Sequence, residues 1–319
     1  MRFVEKKLLY GRIKVLVPGY SVPRILPVLF FTTLLCLPCL AFANWSPLID
    51  RLVADGFDET TIRTLFSRPE ARFEPSAMIT KLEELIKGAD KKRSGPLSYN
   101  PKVVHTGYLK EKVITRARSY LRENTRLLEN ISSRYCVPKE IVVSILLVET
   151  RLGDFLGGRW AFNSLASLAL CADLETLRPY LAKKLVNPRN EDFAKMICQQ
   201  KADWAYTELT ALLFYATWSG LDPLSLPGSV YGAIGLCQFM PSSALSYGVD
   251  ADDDGRIDLF KKADALHSIA NYLREHGWKC TMDRNSQLLV ILDYNKSFIY
   301  ANTVLAVADK LKDKPRAKQ

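Results

Sequence analysis

The chain has 319 residues, 48% hydrophobic and 24% charged, with a formal net charge of +10 at pH 7. This is the balance of a folded protein of one large or two modest domains, and it excludes disordered and collagen-like classes. The first 43 residues hold six Arg or Lys against one Glu and so carry +5 of that charge. The remainder lacks the basic stripe and the recognisable module that nucleic-acid binding requires, so no nucleic acid is expected as a partner.

Arg24 is followed by an apolar run to Leu40 and then by Ala41-Phe42-Ala43. A basic start, a short apolar run and small residues at the third-last and last positions form a secretory signal, here cut after Ala43. The basic region is long for a signal, and the run is short of the about 20 residues that a comfortable membrane span needs. Two readings therefore stand. One is a cleaved signal whose translation starts later than Met1; the other is a retained anchor that associates with a membrane through the N-terminus. Both predict export to the periplasm or cell envelope. No lipoprotein box surrounds Cys36 or Cys39, and no other stretch resembles a span. Without the signal five cysteines remain, Cys136, Cys171, Cys198, Cys237 and Cys280. An odd number leaves at least one thiol unless pairing is intermolecular; Cys171 with Cys198 is a candidate bridge, against buried free thiols. His105, His267 and His276 are too scattered for a zinc site.

Residues 45–90 read as short helices. Pro47 opens one that Gly56 ends, Asp58 stands as a cap, and Met78, Ile79, Leu82 and Ile86 recur at helical spacing. Lys87 to Pro101 reads as a surface loop. Lys110 to Ser132 predicts one long amphipathic helix. Pro138 to Arg151 follows, with Ile141, Val142, Ile145, Leu146, Leu147 and Val148 almost continuously apolar, which predicts a helix buried in a core. Gly153 to Trp160 is unlike regular helix and suits the lining of a cleft. Asn163 is expected to cap a helix through Leu165, Leu168 and Leu170, and Trp204 to Trp218 predicts another. Asp222 to Ser243 is rich in Gly, Pro and Ser, the composition of a functional loop. Helices over Asp264 to His276 and Phe298 to Leu311 close the chain. Leu288 to Leu292 is the one candidate strand, so the fold class is mainly α with few or no strands.

Glu149 ends the apolar helix. Apolar neighbours and the negative end of the helix dipole disfavour its charge, which raises a carboxyl pKa toward the range of a general acid. The bland alternative is a solvated Glu closing a helix. Sugar cleavage commonly pairs such an acid with a second carboxylate. Asp154 is five residues on, off the helical face of Glu149, and reads as a surface aspartate. Without a second carboxylate, the substrate's own N-acetyl group must stabilise the oxocarbenium-like centre. Tyr272, Tyr294 and Asn295 suit an acetamide, while Ser229 and Gln238 suit sugar hydroxyls or amides; each alone is also a common structural residue. Trp160, Trp218 and Trp278, able to stack on sugars, are read as core.

Asp250, Asp252 and Asp254 at positions 1, 3 and 5, Gly255 at 6, the Arg256 carbonyl at 7 and Asp258 at 9 match a calcium-binding loop. Lys261 holds the twelfth position, where a bidentate Glu belongs. The expectation is a structural calcium ion in a site either weaker than the standard kind or closed by another group such as Asp264. Gly-Xaa-Ser-Xaa-Gly, Walker and dinucleotide motifs are absent.

Together these segments resemble the lytic murein transglycosylase B family. Val148-Glu-Thr-Arg-Leu-Gly153 is similar to its catalytic motif, Gly228 to Ser243 to its signature loop, and Tyr247 to Asp258 to its calcium-type loop. Ala270 to Trp278 and Tyr294 to Tyr300 match two further blocks. The resemblance implies a lysozyme-like helical catalytic domain over 106–312, an N-terminal helical extension over 44–105 packed on it, and a basic tail over 313–319. It implies Glu149 as the single acid/base, and Ser229, Gln238, Tyr272, Tyr294, Asn295 and Tyr300 as substrate-binding positions. The implied reaction is non-hydrolytic cleavage of the β-1,4 bond between N-acetylmuramic acid and N-acetylglucosamine in peptidoglycan, giving 1,6-anhydro ends. It needs no cofactor for chemistry, and the expected partner is the glycan strand, met by a monomer. A hydrolytic muramidase and a non-catalytic peptidoglycan-binding scaffold are the alternatives. Some relatives carry an insertion between the last two blocks; here fifteen residues separate Trp278 from Tyr294, so that part is expected to be reduced.

Overall fold

The computed structural model describes residues 44–93 and 102–312. The signal segment 1–43, the stretch 94–101 of the surface loop and the tail 313–319 lie outside the described residues.

Three helices come first: α1 (Ser46–Ala54), α2 (Glu59–Ser67) and α3 (Ser76–Arg93). Asp58 caps α2 by accepting the Thr61 N–H at 2.8 Å. The Lys87 to Pro101 segment, read as a loop, is helical as far as Arg93. The expected single helix from Lys110 to Ser132 is instead α4 (Glu111–Glu123) and α5 (Thr125–Tyr135). The break falls at Asn124, whose side-chain amide donates to the Tyr120 carbonyl at 2.8 Å and competes with helix continuation.

Next come α6 (Lys139–Thr150), β1 (Arg159–Trp160), α7 (Ala161–Leu170), α8 (Leu174–Leu177) and the long α9 (Glu191–Ser219). Then β2 (Pro227–Gly228), α10 (Pro241–Tyr247), α11 (Lys262–Glu275), α12 (Arg284–Tyr294) and α13 (Phe298–Lys312) complete the chain. The mainly α reading is borne out: among the described residues the only sheet is β1 paired antiparallel with β2. The candidate strand Leu288 to Leu292 lies inside α12. Asn163 is within α7 rather than capping it; its amide bridges Arg72 N–H and the Glu70 carbonyl, both at 3.0 Å, tying the N-terminal segment to that helix.

The core is centred on α6, where Val142, Val143, Ile145 and Leu146 are wholly buried. This helix packs against α4, α5, α11 and α13, and α9 runs along α7 and α10. Trp45, Phe66 and Phe162 carry the N-terminal helices into the same core by ring contacts of 5.2 and 5.1 Å. Among the described residues a disulfide joins Cys136 to Cys280, at the end of α5 and just before α12. Cys171 and Cys198 do not bridge; they are free and buried, as is Cys237. No helix among the described residues is long and apolar enough to cross a membrane.

Candidate active site

Glu149 is the penultimate residue of α6, and the carbonyls that the helix leaves unpaired at this end find partners outside it. The Tyr108 hydroxyl donates to the Val148 carbonyl at 3.1 Å. Arg151 and Leu152 follow at φ +54° and +66°, and Gly153 at +96°. Their N–H groups fold back onto Leu147, Leu146 and Thr150, reversing the chain in left-handed geometry that L side chains adopt at a cost. The turn leaves the Glu149 side chain half-buried at the helix end.

Burial pushes the Glu149 carboxyl up to about 7, an effect that a weaker interaction with the Tyr300 hydroxyl opposes. The Tyr300 hydroxyl is buried and completes no ordinary hydrogen bond; after burial, the Glu149 charge is the main influence on it. Tyr294 and the Cys237 thiol feel the same charge, so Glu149 faces the ends of α12 and α13 and the 228–243 loop. Asp154 does not join the group. It is exposed and held by both guanidinium NH groups of Arg116, which lower its pKa.

The 228–243 loop is fastened along its length. Gly228 pairs with Arg159, and Ala161 N–H donates to Leu226 O at 3.0 Å. Gly157 approaches so closely that an added Cβ would lie 1.9 Å from the Gly228 carbonyl oxygen. The Thr150 hydroxyl bonds the Leu236 carbonyl at 3.0 Å, and Leu236 N–H bonds the Leu259 carbonyl at 2.9 Å. The Tyr294 hydroxyl donates to the Cys237 carbonyl at 2.6 Å. At the far end the buried Glu208 carboxylate accepts the Ser242 N–H and hydroxyl at 2.9 and 2.8 Å, serving the N-terminus of α10.

Ser229 Oγ accepts the Tyr231 and Ala233 N–H groups at 3.2 and 3.0 Å, shaping the turn while its own proton stays free to donate. Gln238 adopts φ +50° and donates Nε2 to the Leu156 and Gly235 carbonyls at 3.2 and 3.0 Å, which aims its carbonyl as an acceptor. Gln238, Tyr272 and Tyr294 share a cavity of about 70 Å³ with Phe239, Met240 and Ser243. The Tyr272 hydroxyl is held by the Asp293 carbonyl at 2.9 Å, and its ring stacks on His276 at 3.9 Å. Tyr294 and Tyr300 lie parallel, 6.4 Å apart. Asn295 follows α12 as an exposed residue, and nothing on its side chain ties it to this group. Trp278 is core, at 4% exposed, but Trp160 and Trp218 are 47% and 68% exposed, contrary to the reading of all three as core. Sequence reasoning missed Tyr108, Thr150 and Leu156, which position the site through side-chain-to-backbone bonds; Thr150 stands inside the Val148–Gly153 motif, but nothing in that motif told of its bond to Leu236.

Asp250, Asp252 and Asp254 do come together, each offering an oxygen within 4.8 Å of the others. Asp258 is not among them; its carboxylate accepts the Phe260 N–H at 2.9 Å. Arg256 sends its guanidinium toward Gly220. Lys261 Nζ sits 2.6 Å from Asp254 Oδ2 and 3.6 Å from Asp252 Oδ2.

The architecture is that of the lysozyme-like lytic transglycosylases. Soluble lytic transglycosylase SltB1 from Pseudomonas aeruginosa superposes with a TM-score of 0.62 at 23% identity, over 84% of this chain and 97% of that one. Escherichia coli lytic transglycosylase Slt35 in complex with calcium gives 0.60 at 23% identity, over 85% and 93%. Membrane-bound lytic murein transglycosylase B of Escherichia coli strain K12 is 30% identical over 240 residues, 74% of this chain. The chain spans 57% of that relative's length. The transglycosylase SLT domain model matches residues 41–288, and the chain belongs to that family.

Proposed function

We propose that the chain is a peptidoglycan lytic transglycosylase that cleaves the β-1,4 bond between N-acetylmuramic acid and N-acetylglucosamine without water. The observation that carries this reading is Glu149: one half-buried carboxyl, raised to about 7 by burial, with Asp154 diverted to Arg116. Such a group holds a proton at neutral pH and still releases it, as one residue serving first as acid and then as base requires.

In the first step Glu149 gives its proton to the bridging oxygen as the C1–O bond breaks, and the muramoyl acetamide oxygen bonds to C1. In the second, Glu149 takes the proton of the muramoyl 6-hydroxyl. O6 bonds to C1, the acetamide leaves, and a 1,6-anhydro ring closes. Tyr272 and Tyr294, sharing a cavity with Gln238, suit the acetamide. The Gln238 carbonyl and the Ser229 hydroxyl suit donors and acceptors on the sugars; Asn295, exposed after α12, and Tyr300, its hydroxyl buried beside Glu149, are the further positions that the family resemblance implies. The family relation and the names of the relatives support the same substrate.

The domain reading follows: a helical extension over 44–105, a catalytic unit over 106–312 and a basic tail, acting as a monomer on glycan strands after export to the cell envelope. No cofactor enters the chemistry. The test is digestion of purified peptidoglycan, read by product mass. Anhydro-muramoyl ends, lighter by one water than hydrolytic ends, are expected from the wild type and none from Glu149→Gln. Reducing ends would mean a hydrolytic muramidase instead, and intact polymer a non-catalytic scaffold.

A further inference from the structure

The acidic loop carries the outline of a calcium site and three converging carboxylates, but not the full set of donors. Both Asp250 oxygens accept from its own loop, the N–H of Asp254 at 3.2 Å and of Gly255 at 2.8 Å. Asp254 Oδ1 accepts the Arg256 N–H at 2.9 Å. The group best placed to substitute for a twelfth ligand is Asp264, yet it is fully buried and already used. Its two oxygens accept the Ala251 and Asp258 N–H groups at 3.0 and 2.8 Å. A calcium loop of this kind needs six to eight oxygens, with a bidentate carboxylate at the end. Here the twelfth residue brings a cation: the Lys261 ammonium lies against Asp254 and Asp252, the carboxylates that would face the metal.

We propose that Lys261 is a built-in replacement for the divalent ion, so that the loop closes on a tethered ammonium and needs no calcium. The residues present do not fit the metal. An incoming ion would meet a positive charge already in contact with two of its three carboxylates, and the twelfth residue would bring it no oxygen. An ammonium delivers one charge and three donors, enough to relieve repulsion among clustered carboxylates whose remaining oxygens are occupied by backbone N–H groups.

The replacement bears on the active site through the chain that follows the loop. Ile257 O accepts the Ser219 hydroxyl at 2.6 Å, and Leu259 N–H donates to the buried Tyr215 hydroxyl at 3.0 Å. Leu259 O then holds Leu236 N–H, while Leu236 O holds Thr150, the neighbour of Glu149. Closing the acidic loop with a side chain makes this relay independent of metal supply.

The experiment is thermal unfolding of the purified full chain, in millimolar calcium and in excess chelator, with calorimetric titration of calcium. It does not use activity, so its outcome is separate from that of the transglycosylase reading. The wild type is expected to show the same Tm in both media and no saturable binding heat. Lys261→Glu, which installs the missing ligand and removes the ammonium, is expected to lose Tm in chelator and regain about 2–4 °C or more in calcium. A wild type that gains that much in calcium, with saturable heat, overturns the proposal. So does a Lys261→Glu variant indifferent to calcium, because residue 261 would then not decide whether the loop takes a metal.

Discussion

Thr150 and Leu236 are joined by a hydrogen bond from the Thr150 hydroxyl to the Leu236 carbonyl oxygen at 3.0 Å, one residue beyond Glu149 and two before Gln238. The same hydroxyl oxygen accepts the Gly153 N–H at 3.2 Å, so one buried side chain ties the helix end, the turn after it and the signature loop. Thr150→Val keeps the shape and removes the hydroxyl, leaving the part-buried Leu236 carbonyl without this donor while the Gly153 N–H keeps the Thr150 carbonyl. A loss of about 1–3 kcal/mol in stability is expected, read by denaturant unfolding. Turnover on peptidoglycan should fall with it, since the loop loses its attachment beside Glu149. An unchanged Cm and an unchanged rate together would show that this bond positions nothing.

The raised Glu149 pKa makes two pH predictions with definite signs. In the proposed role of acid Glu149 must be protonated, so kcat/KM should be full below about 7 and fall tenfold per pH unit above it. For stability, the folded state holds this proton to higher pH than the unfolded chain, whose carboxyl titrates near 4.5. The contribution is therefore fully present below about 4.5 and is lost as pH rises through about 7. The cost of the ionised form at high pH is at most about 3 kcal/mol. Glu149→Gln should be more stable than the wild type at pH values above 7 and lose that advantage toward acid pH. Unfolding curves of the two proteins that stay parallel across this range would contradict the burial argument.

Tyr300 offers a finer probe of the same carboxyl. Its hydroxyl favours the ionised form of Glu149 and has no other partner to lose. Tyr300→Phe keeps the ring parallel to Tyr294 and should fold normally. The falling limb of its pH–rate profile should move to higher pH than in the wild type. A limb that stays put, or moves down, would mean that the hydroxyl does not act on Glu149.

The parts of the site that could be read before the structure are those marked by local composition. An unbroken apolar run ending in a carboxylate points to a buried helix and a perturbed acid because both consequences depend on immediate neighbours. The Gly/Pro/Ser segment announces a loop for the same reason. What was illegible depends on partners far along the chain. The Cys136–Cys280 bridge spans 144 residues, and no spacing rule selects it over Cys171 with Cys198. Trp160 and Trp218 look like core by residue type, and only the packing leaves them exposed. Lys261 could be seen as a missing ligand, but not as an ammonium seated on Asp254, because that depends on how the loop folds back.

Gly157 is where the two strands of chain that frame Glu149 pass most closely. Its φ is +110°, and an added Cβ would lie 1.9 Å from the Gly228 oxygen and 2.2 Å from the Gly228 carbon, both backbone atoms that cannot swing aside. Gly56 is a matched control, because its φ is +95° but nothing lies within 4 Å of the added atom. Gly56→Ala should therefore report only the backbone strain, about 1–2 kcal/mol, and leave activity alone. Gly157→Ala adds a collision that only separation of the 153–160 passage from β2 relieves. That separation breaks the β1–β2 pairing and withdraws the Leu156 carbonyl from Gln238. The expected result is a loss of stability clearly larger than that of the control, together with a rise in KM or a loss of cleavage. Equal Tm shifts for the two variants would mean that the close approach at Gly228 does not constrain the loop.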